Sequence, residues 1–295
     1  MLSVASTLNL EYLDALAAEV GYDSNDRAPL ARMINHNRLF DFLRRRGYCI
    51  VAFSSEYTPT DIRSADLYLN DASSLTEFQG VLLNTTPLPL LFAGWEPTRV
   101  DRPHAERVLY AFRHLPGTTR LKPPIFVYAH ILCPHPPFVF DRHGRVIASE
   151  RMLGPMRRRG SRDPLAEQIA QYVEQTEFVN RRVQATVDAL LARSKWPTVI
   201  IVQSDHGPSS RTDWENVART DVGERMAVLI ACRLPGAGDF RLDGGISSVN
   251  LFRIVLDRYF GANLDPLPNE SYYSTPRHPY HFIRVTDEVD AAARH

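Results

Sequence analysis

The segment TVIIVQSDHG, from Thr198 to Gly207, decides the fold class. Its run of β-branched and apolar residues predicts a buried strand that ends at Asp205 and His206. In α/β proteins, ligands bind at the carboxyl ends of the strands. A carboxylate next to an imidazole offers one oxygen and one nitrogen ligand, which suit a divalent ion such as Mn²⁺ or Zn²⁺. A turn in which Asp205 only caps the backbone would explain the same residues, so a second motif is needed.

That second motif is a proline-rich segment after another apolar run. The run PPIFVYAHIL, residues 123–132, predicts a strand that leads into CPHPPFVFD. In this segment His135 lies between prolines, which restrict the backbone on both sides. A stiff loop after a strand is suited to aiming one imidazole, although a rigid connector with a backbone-bonded histidine is the alternative. We interpret His130, inside the predicted strand, as a core histidine.

Together the two motifs resemble the sulfatase-like branch of the alkaline phosphatase superfamily. That branch includes arylsulfatases, lipoteichoic acid synthases and phosphoethanolamine transferases. The resemblance is carried by five segments in the family's order. Residues 129–138 resemble the family's substrate-side His-x-Pro-Phe loop, and residues 172–180 resemble the helix before the metal strand. Residues 203–207 resemble the end of that strand, and residues 225–231 and 246–253 resemble the strand and the helix that follow it. The ordered set is specific for the branch and says little about any one substrate.

The resemblance implies an alkaline-phosphatase-like three-layer α/β sandwich with a mostly parallel central sheet. The residue pattern agrees, because strands that alternate with helices favour a parallel sheet covered on both faces. The longest predicted helix spans 164–193, where apolar residues recur at three- and four-residue spacing. Two further helices are predicted at about 6–20 and 27–46, followed by a buried strand at 48–53.

The first part of the family's site is expected to precede this chain. In the family, an early strand carries an acidic metal ligand, and a Thr, Ser or modified Cys nucleophile starts the next helix. Here Met1 leads directly into LSVASTLNLEYL, which resembles the helix after that nucleophile. The hydroxyls of Ser3, Ser6 and Thr7 match helix positions and not the nucleophile position. We therefore predict an N-terminally truncated domain.

Composition sets further bounds. We interpret residues 1–295 as a single, partial sulfatase-like domain, in which about 1–274 match the family and 275–295 form a C-terminal extension. The 34 basic and 34 acidic side chains balance, so nothing draws the protein to nucleic acid. The three cysteines lack paired spacing, so disulfides are not implied. No signal peptide or long apolar run occurs, whereas the family's domains are usually membrane-anchored and extracytoplasmic through segments that would lie upstream. The sequence therefore leaves the compartment open.

The resemblance also implies a reaction, which is metal-dependent hydrolysis or transfer of a phosphate or sulfate ester through a covalent intermediate. Asp205 and His206 would hold one divalent metal ion, with Mn, Ca, Mg and Zn all left open. His135 would act as a catalytic group that donates to a substrate oxygen or steadies the leaving group. The anionic ester is the expected partner, and Arg158 in an Arg-rich loop would bind it, or would be only a solvated charge.

Other interpretations stay open beside this one. A catalytically inactive remnant would fold and bind metal or a partner without turnover, because a missing nucleophile removes covalent catalysis. A phosphoglycerate-mutase-like metalloenzyme shares the Asp-His-Gly element but fits the His135 loop and the Arg253 helix less well. Glu56 and Tyr57, which follow a predicted strand, would line the pocket or form an ordinary turn.

Overall fold

The computed structural model describes residues 1–55, 57–70, 101–147, 164–236, 238 and 242–294. These residues form two compact units, each of which is described by itself. The first unit combines residues 1–48 with 197–295, and the second comprises residues 49–196. The α-helices and strands of the described residues, in chain order, are α1 (Leu2–Asn9), α2 (Asp14–Val20), α3 (Ala28–Asn35), α4 (Arg38–Arg44), β1 (Cys49–Phe53), β2 (Leu67–Leu69), α5 (Asp101–His114), β3 (Ile125–Tyr128), α6 (Pro164–Arg193), β4 (Ile200–Gln203), α7 (Val222–Met226), β5 (Ile230–Arg233), α8 (Ser248–Phe260), β6 (Tyr272–Tyr273), β7 (Ile283–Arg284) and α9 (Thr286–Ala292).

The second unit is built on a parallel sheet of three strands. β1 lies in the centre, paired with β2 on one side and with β3 on the other. Apolar residues of α5 and α6 pack with the segment after β3 into one core cluster, which contains Ala105, Val108, Phe112, Val139, Phe140, Phe178 and Val179. The parallel sheet with its helices confirms the predicted mixed α/β class.

The first unit contains helices and two antiparallel strand pairs. α1 packs against α3, α4 and α8, and α7 packs against α9. β4 pairs antiparallel with β5, and β6 pairs antiparallel with β7. An apolar run has the same pattern in either direction, so the antiparallel β4–β5 pairing was not visible in the sequence.

Two of the predicted helices are each divided in two. The helix predicted at 6–20 ends at Asn9, because Leu10 adopts a left-handed conformation with a φ of 63°. The side chain of Arg253 stabilises this turn by donating from Nη1 to the Leu10 carbonyl at 2.8 Å. The helix predicted at 27–46 restarts after Asn37, whose side chain caps α4 by accepting from the Phe40 amide at 2.8 Å. The long helix at 164–193 is confirmed over its whole length.

Candidate metal centre and substrate loop

Asp205 and His206 lie directly after β4, as the sequence predicts. The pairing of β4 with β5 is extended by Ser204, whose backbone N–H donates to the Leu229 carbonyl at 3.0 Å and whose Oγ accepts from the Leu229 amide at 2.9 Å. The next two side chains turn toward each other, with 3.5 Å between His206 Nε2 and Asp205 Oδ2. Their side chains are 33% and 30% exposed, so both are accessible to an ion from solvent.

The other ring nitrogen of His206, Nδ1, lies close to one hydrogen-bond acceptor and one hydrogen-bond donor. Nδ1 lies 2.8 Å from the Gly207 carbonyl oxygen, which can only accept, and 2.7 Å from Nη1 of Arg225, which can only donate. If Nδ1–H donates to Gly207, Nε2 keeps its lone pair beside Asp205, which is the usual arrangement of a metal-binding histidine. If Arg225 donates to Nδ1, the neutral ring carries its proton on Nε2 and cannot ligate there.

Arg225 therefore belongs to the surroundings of the candidate ligands, and the sequence had indicated it only as part of the longer segment 225–231. The same Nη1 also donates to Ser209 Oγ at 2.7 Å, and the guanidinium carbon lies 5.4 Å from the ring centroid of Trp214. Burial lowers the pKa of Arg225, while the negative charges of Asp205 and Glu224 act in the opposite direction. A fixed positive charge thus stands beside the candidate metal pair.

Gly207 is needed in this motif because there is no space for a side chain. Its N–H donates to the Arg225 carbonyl at 2.8 Å, which joins the end of β4 to α7. A Cβ at this position would lie 2.1 Å from the carbonyl oxygen of Glu224 and 2.9 Å from that of Ala227. The glycine therefore permits a close approach of two backbone segments, which in turn sets the position of Arg225 next to His206.

The donor set fits a divalent ion in part. One carboxylate oxygen and one imidazole nitrogen on adjacent residues suit Mn²⁺ or Zn²⁺ and provide two positions of a coordination shell. Within the described residues, no group of three or more His, Cys, Asp and Glu side chains forms a cluster suited to a metal ion. Asp205 and His206 would therefore hold the ion together with ligands from elsewhere.

Two of the three hydroxyls near the start of the chain, those of Ser6 and Thr7, are engaged or buried. Ser6 Oγ donates to the Ser3 carbonyl at 3.1 Å, and Thr7 is buried.

At the start of α1, burial lowers the pKa of the Met1 α-amino group, whereas the charge of Asp205 raises it. The beginning of α1 is thus within electrostatic reach of the metal pair.

His135 belongs to the second unit and lies in the exposed loop after β3. Its Nδ1 is 2.5 Å from the carbonyl oxygen of Pro136, so in the neutral ring Nδ1 carries the proton and Nε2 is the acceptor. The peptide bonds before Pro134 and Pro137 are cis. The imidazole is therefore held by its own loop, while Nε2 can accept a proton from, or when protonated donate one to, a bound group.

The loop continues into a tight turn around Asp141. One carboxylate oxygen of Asp141 accepts from the backbone N–H groups of His143 and Arg145, each at 2.9 Å, and the other accepts from Arg145 Nε at 2.6 Å. Burial alone would raise the pKa of Asp141, but these hydrogen bonds and the charge of Arg145 outweigh it and lower the pKa. An ionised Asp141 thus closes the turn.

The remaining predicted residues are placed differently. Arg158, with the Arg-rich segment around it, and Glu56 lie outside the described residues, whereas Tyr57 is exposed. β3 ends at Tyr128, so His130 follows the strand and does not lie inside it, contrary to the interpretation from sequence. Together with Ser55 it lines a cavity of about 10 Å³ at the carboxyl ends of β1 and β3, which has room for about one water.

The chain is similar to a known protein family. A family model described as Sulfatase matches residues 21–245, which is most of the chain. Neither a search among curated proteins nor a search among solved structures found a match. Among the described helices, none combines the length and apolar character needed to cross a lipid bilayer.

Proposed function

We propose, from the premise that this chain belongs to the Sulfatase family, that it is a metal-dependent hydrolase or transferase acting on sulfate or phosphate esters. The observation that supports this proposal is the pair formed by Asp205 and His206. The two side chains approach to 3.5 Å at the carboxyl end of β4, where α/β proteins bind ligands. Sulfatase-family proteins generally use a divalent metal, and this pair offers it one oxygen and one nitrogen.

Each residue has a defined part in the proposed reaction. A bound divalent cation would supply charge stabilisation for the ester oxygen as negative charge develops. Asp205 and His206 hold that cation, and His206 does so with Nε2 while Nδ1–H donates to the backbone. His135 donates a proton to an oxygen of the ester, and Arg158 binds the anionic group. The expected partner is therefore an anionic sulfate or phosphate ester, and the balanced charge of the chain offers no attraction to nucleic acid.

A second candidate is a catalytically inactive member of the family that binds metal without turnover. It is favoured by the two-ligand donor set among the described residues and by the engaged or buried state of Ser6 and Thr7. Loss of a positioned nucleophile removes covalent catalysis, whereas the metal pair persists. Binding and turnover therefore have to be measured in the same samples.

The experiment is a calorimetric titration of the protein with Mn²⁺, followed by assays with chromogenic sulfate and phosphate esters. Asp205→Ala and His206→Ala should each weaken Mn²⁺ binding by more than about tenfold. The binding should also weaken at acid pH, because a protonated imidazole cannot ligate. The matched controls are Asp290→Ala and His281→Ala, which remove exposed side chains of the same types from the same unit.

The outcomes separate the two candidates. Metal binding that both site substitutions abolish, together with ester turnover, supports the enzyme. Metal binding without turnover of either ester supports the inactive member. A folded protein that does not bind Mn²⁺, or binds it equally well in both variants, would overturn the assignment of the metal pair.

A further inference from the structure

One polar side chain lies in the core beneath the His135 loop. Gln175 on α6 is 0% exposed although it is polar, and its neighbours on the same face of the helix include Phe178 and Val179 of the core cluster. Its Oε1 accepts from the backbone N–H groups of Val139 at 2.8 Å and Phe140 at 3.1 Å. A buried amide is costly unless it is hydrogen-bonded, so these contacts explain why the core tolerates it.

The third contact of Gln175 reaches the candidate catalytic residue. Its Nε2 donates to the backbone carbonyl of His135 at 3.4 Å. The amide therefore joins both ends of the short segment from residue 135 to residue 140. Three of the residues from 134 to 137 are prolines, which have no N–H, so this stretch of backbone has few donors of its own to fix it.

A separate set of contacts fixes the far side of the loop. The rings of Phe140 and Phe178 pack with their centroids 4.7 Å apart, and the Asp141 turn closes beyond them. The His135 ring itself contacts the carbonyl of the adjacent Pro136. The direction of the imidazole is consequently set by the backbone at residue 135, and Gln175 is the side chain from α6 that contacts this backbone.

We propose that Gln175 is a positioning residue that holds the backbone of the His135 loop against α6 and thereby aims the imidazole at the ester. That the imidazole is oriented toward an ester rests on the proposed function, whereas the hydrogen bonds by which Gln175 fixes the loop backbone do not. A small displacement of a proton donor is enough to lower a rate by about a hundredfold, so a backbone contact can control the reaction without touching the substrate.

Three substitutions test this role. Gln175→Leu removes all three hydrogen bonds. Gln175→Glu retains an acceptor for the amides of Val139 and Phe140, but when it is ionised its second carboxylate oxygen replaces the donor and repels the His135 carbonyl. Gln171→Leu is the matched control, because Gln171 lies one turn earlier on α6 and, within the part of the chain that the structure describes, its side chain hydrogen-bonds only to Glu167, at 3.5 Å.

Two measurements are made on each variant, beside circular dichroism as a check of folding. The first is the imidazole ¹⁵N spectrum of histidine-labelled protein, with the His135 signals assigned by their loss in His135→Gln. The second is the separation of kcat and KM for a chromogenic sulfate or phosphate ester. We expect Gln175→Leu to shift or broaden the His135 signals and to lower kcat by about tenfold to a hundredfold with little change in KM.

We expect Gln175→Glu, whose ionised carboxylate repels the His135 carbonyl, also to shift the His135 signals and to lower kcat, and Gln171→Leu to have no effect. If Gln175→Leu does not fold, the result in Gln175→Glu still decides the question. Unchanged His135 signals in a folded Gln175→Leu or Gln175→Glu variant would overturn the proposal. If the signals shift but no variant, including the unchanged protein, turns over either ester, the proposed function fails and the positioning role remains.

Discussion

The metal pair and the His135 loop both follow the end of a strand, but different parts of the chain hold them. Beside Asp205, Arg225 contacts the imidazole ring of His206 itself, so this contact affects both the orientation of the ring and which ring nitrogen carries the proton. In the His135 loop, Gln175 contacts only the backbone, and the ring is left exposed. The comparison shows two ways to place a histidine, one through its ring and one through its main chain.

The largest effect is expected from Gly207→Ala, which breaks the first arrangement. The new Cβ would lie 2.1 Å from the Glu224 carbonyl oxygen, so β4 and α7 would have to separate. We expect the free energy of unfolding to fall by about 3 kcal/mol or more, as for severe overpacking. Urea denaturation measures this loss, and Mn²⁺ binding should weaken in parallel.

Gly245→Ala is the control for this prediction. A Cβ at Gly245 meets nothing within 4 Å, and this residue lies in the same unit. Its stability should match that of the unchanged protein. Equal stabilities of the two alanine variants would contradict the close approach at Gly207.

A smaller effect is expected from Arg225→Gln, which sharpens the comparison by removing the contact to the His206 ring. Without the donor at Nδ1, His206 can donate from Nδ1 to Gly207 and offer Nε2 to the ion. Removing a unit positive charge near a divalent ion also relieves a repulsion of about 1 kcal/mol in water. Calorimetry should therefore show Mn²⁺ binding that is several-fold tighter than in the unchanged protein.

Arg277→Gln makes the same change of charge at a side chain of the same unit that is 79% exposed, and it should leave the Mn²⁺ affinity unchanged. Weaker binding in Arg225→Gln would show that the arginine prepares His206 for the metal instead of competing with it.

The smallest effect is expected in the His135 loop, from Asp141→Asn. The pKa of Asp141 is lowered from its ordinary value of 3.8 by its hydrogen bonds, so the ionised carboxylate stabilises the folded state. This contribution is complete above the ordinary pKa and is lost as the pH falls through the lower pKa of the folded state. Asp141→Asn should therefore be slightly less stable near pH ~7 and lose less stability on acidification.

Denaturant unfolding at a series of pH values measures this difference. Parallel stability profiles for the two proteins from neutral to acid pH would contradict the role of Asp141.

The features predicted best from the sequence are those set by local patterns. The helix at 164–193 follows from apolar periodicity, and the strands Cys49–Phe53 and Ile200–Gln203 follow from continuous apolar runs. That Asp205 and His206 bind a metal stays a prediction. The break at Leu10 was not predictable, because Arg253, which stabilises it, is 243 residues away in the chain. A local sequence pattern does not indicate contacts between residues that are far apart in the chain.

The two residues that hold the histidines show where the limit lies in the site. Gln175 did leave a signal, since it is a polar residue on the apolar face that also carries Phe178 and Val179. Arg225 left none, because its contact with His206 depends on the close backbone approach at Gly207. The sequence proposed the candidate residues, whereas the contacts that hold them in place are tertiary and became visible only in the structure.

The division of the chain has a consequence for biosynthesis. The first unit needs both residues 1–48 and residues 197–295, whereas the second is a continuous segment between them. A continuous segment can fold as soon as it leaves the ribosome, so the parallel sheet around β1 is able to form early. The helices α1 to α4 are synthesised before the second unit, but α1 packs on α8 and can make this contact only after residues 248–260 have been translated. During that interval the apolar side chains of α1 that later pack on α8 are exposed, and exposed apolar surface of this kind is what chaperones bind on a nascent protein.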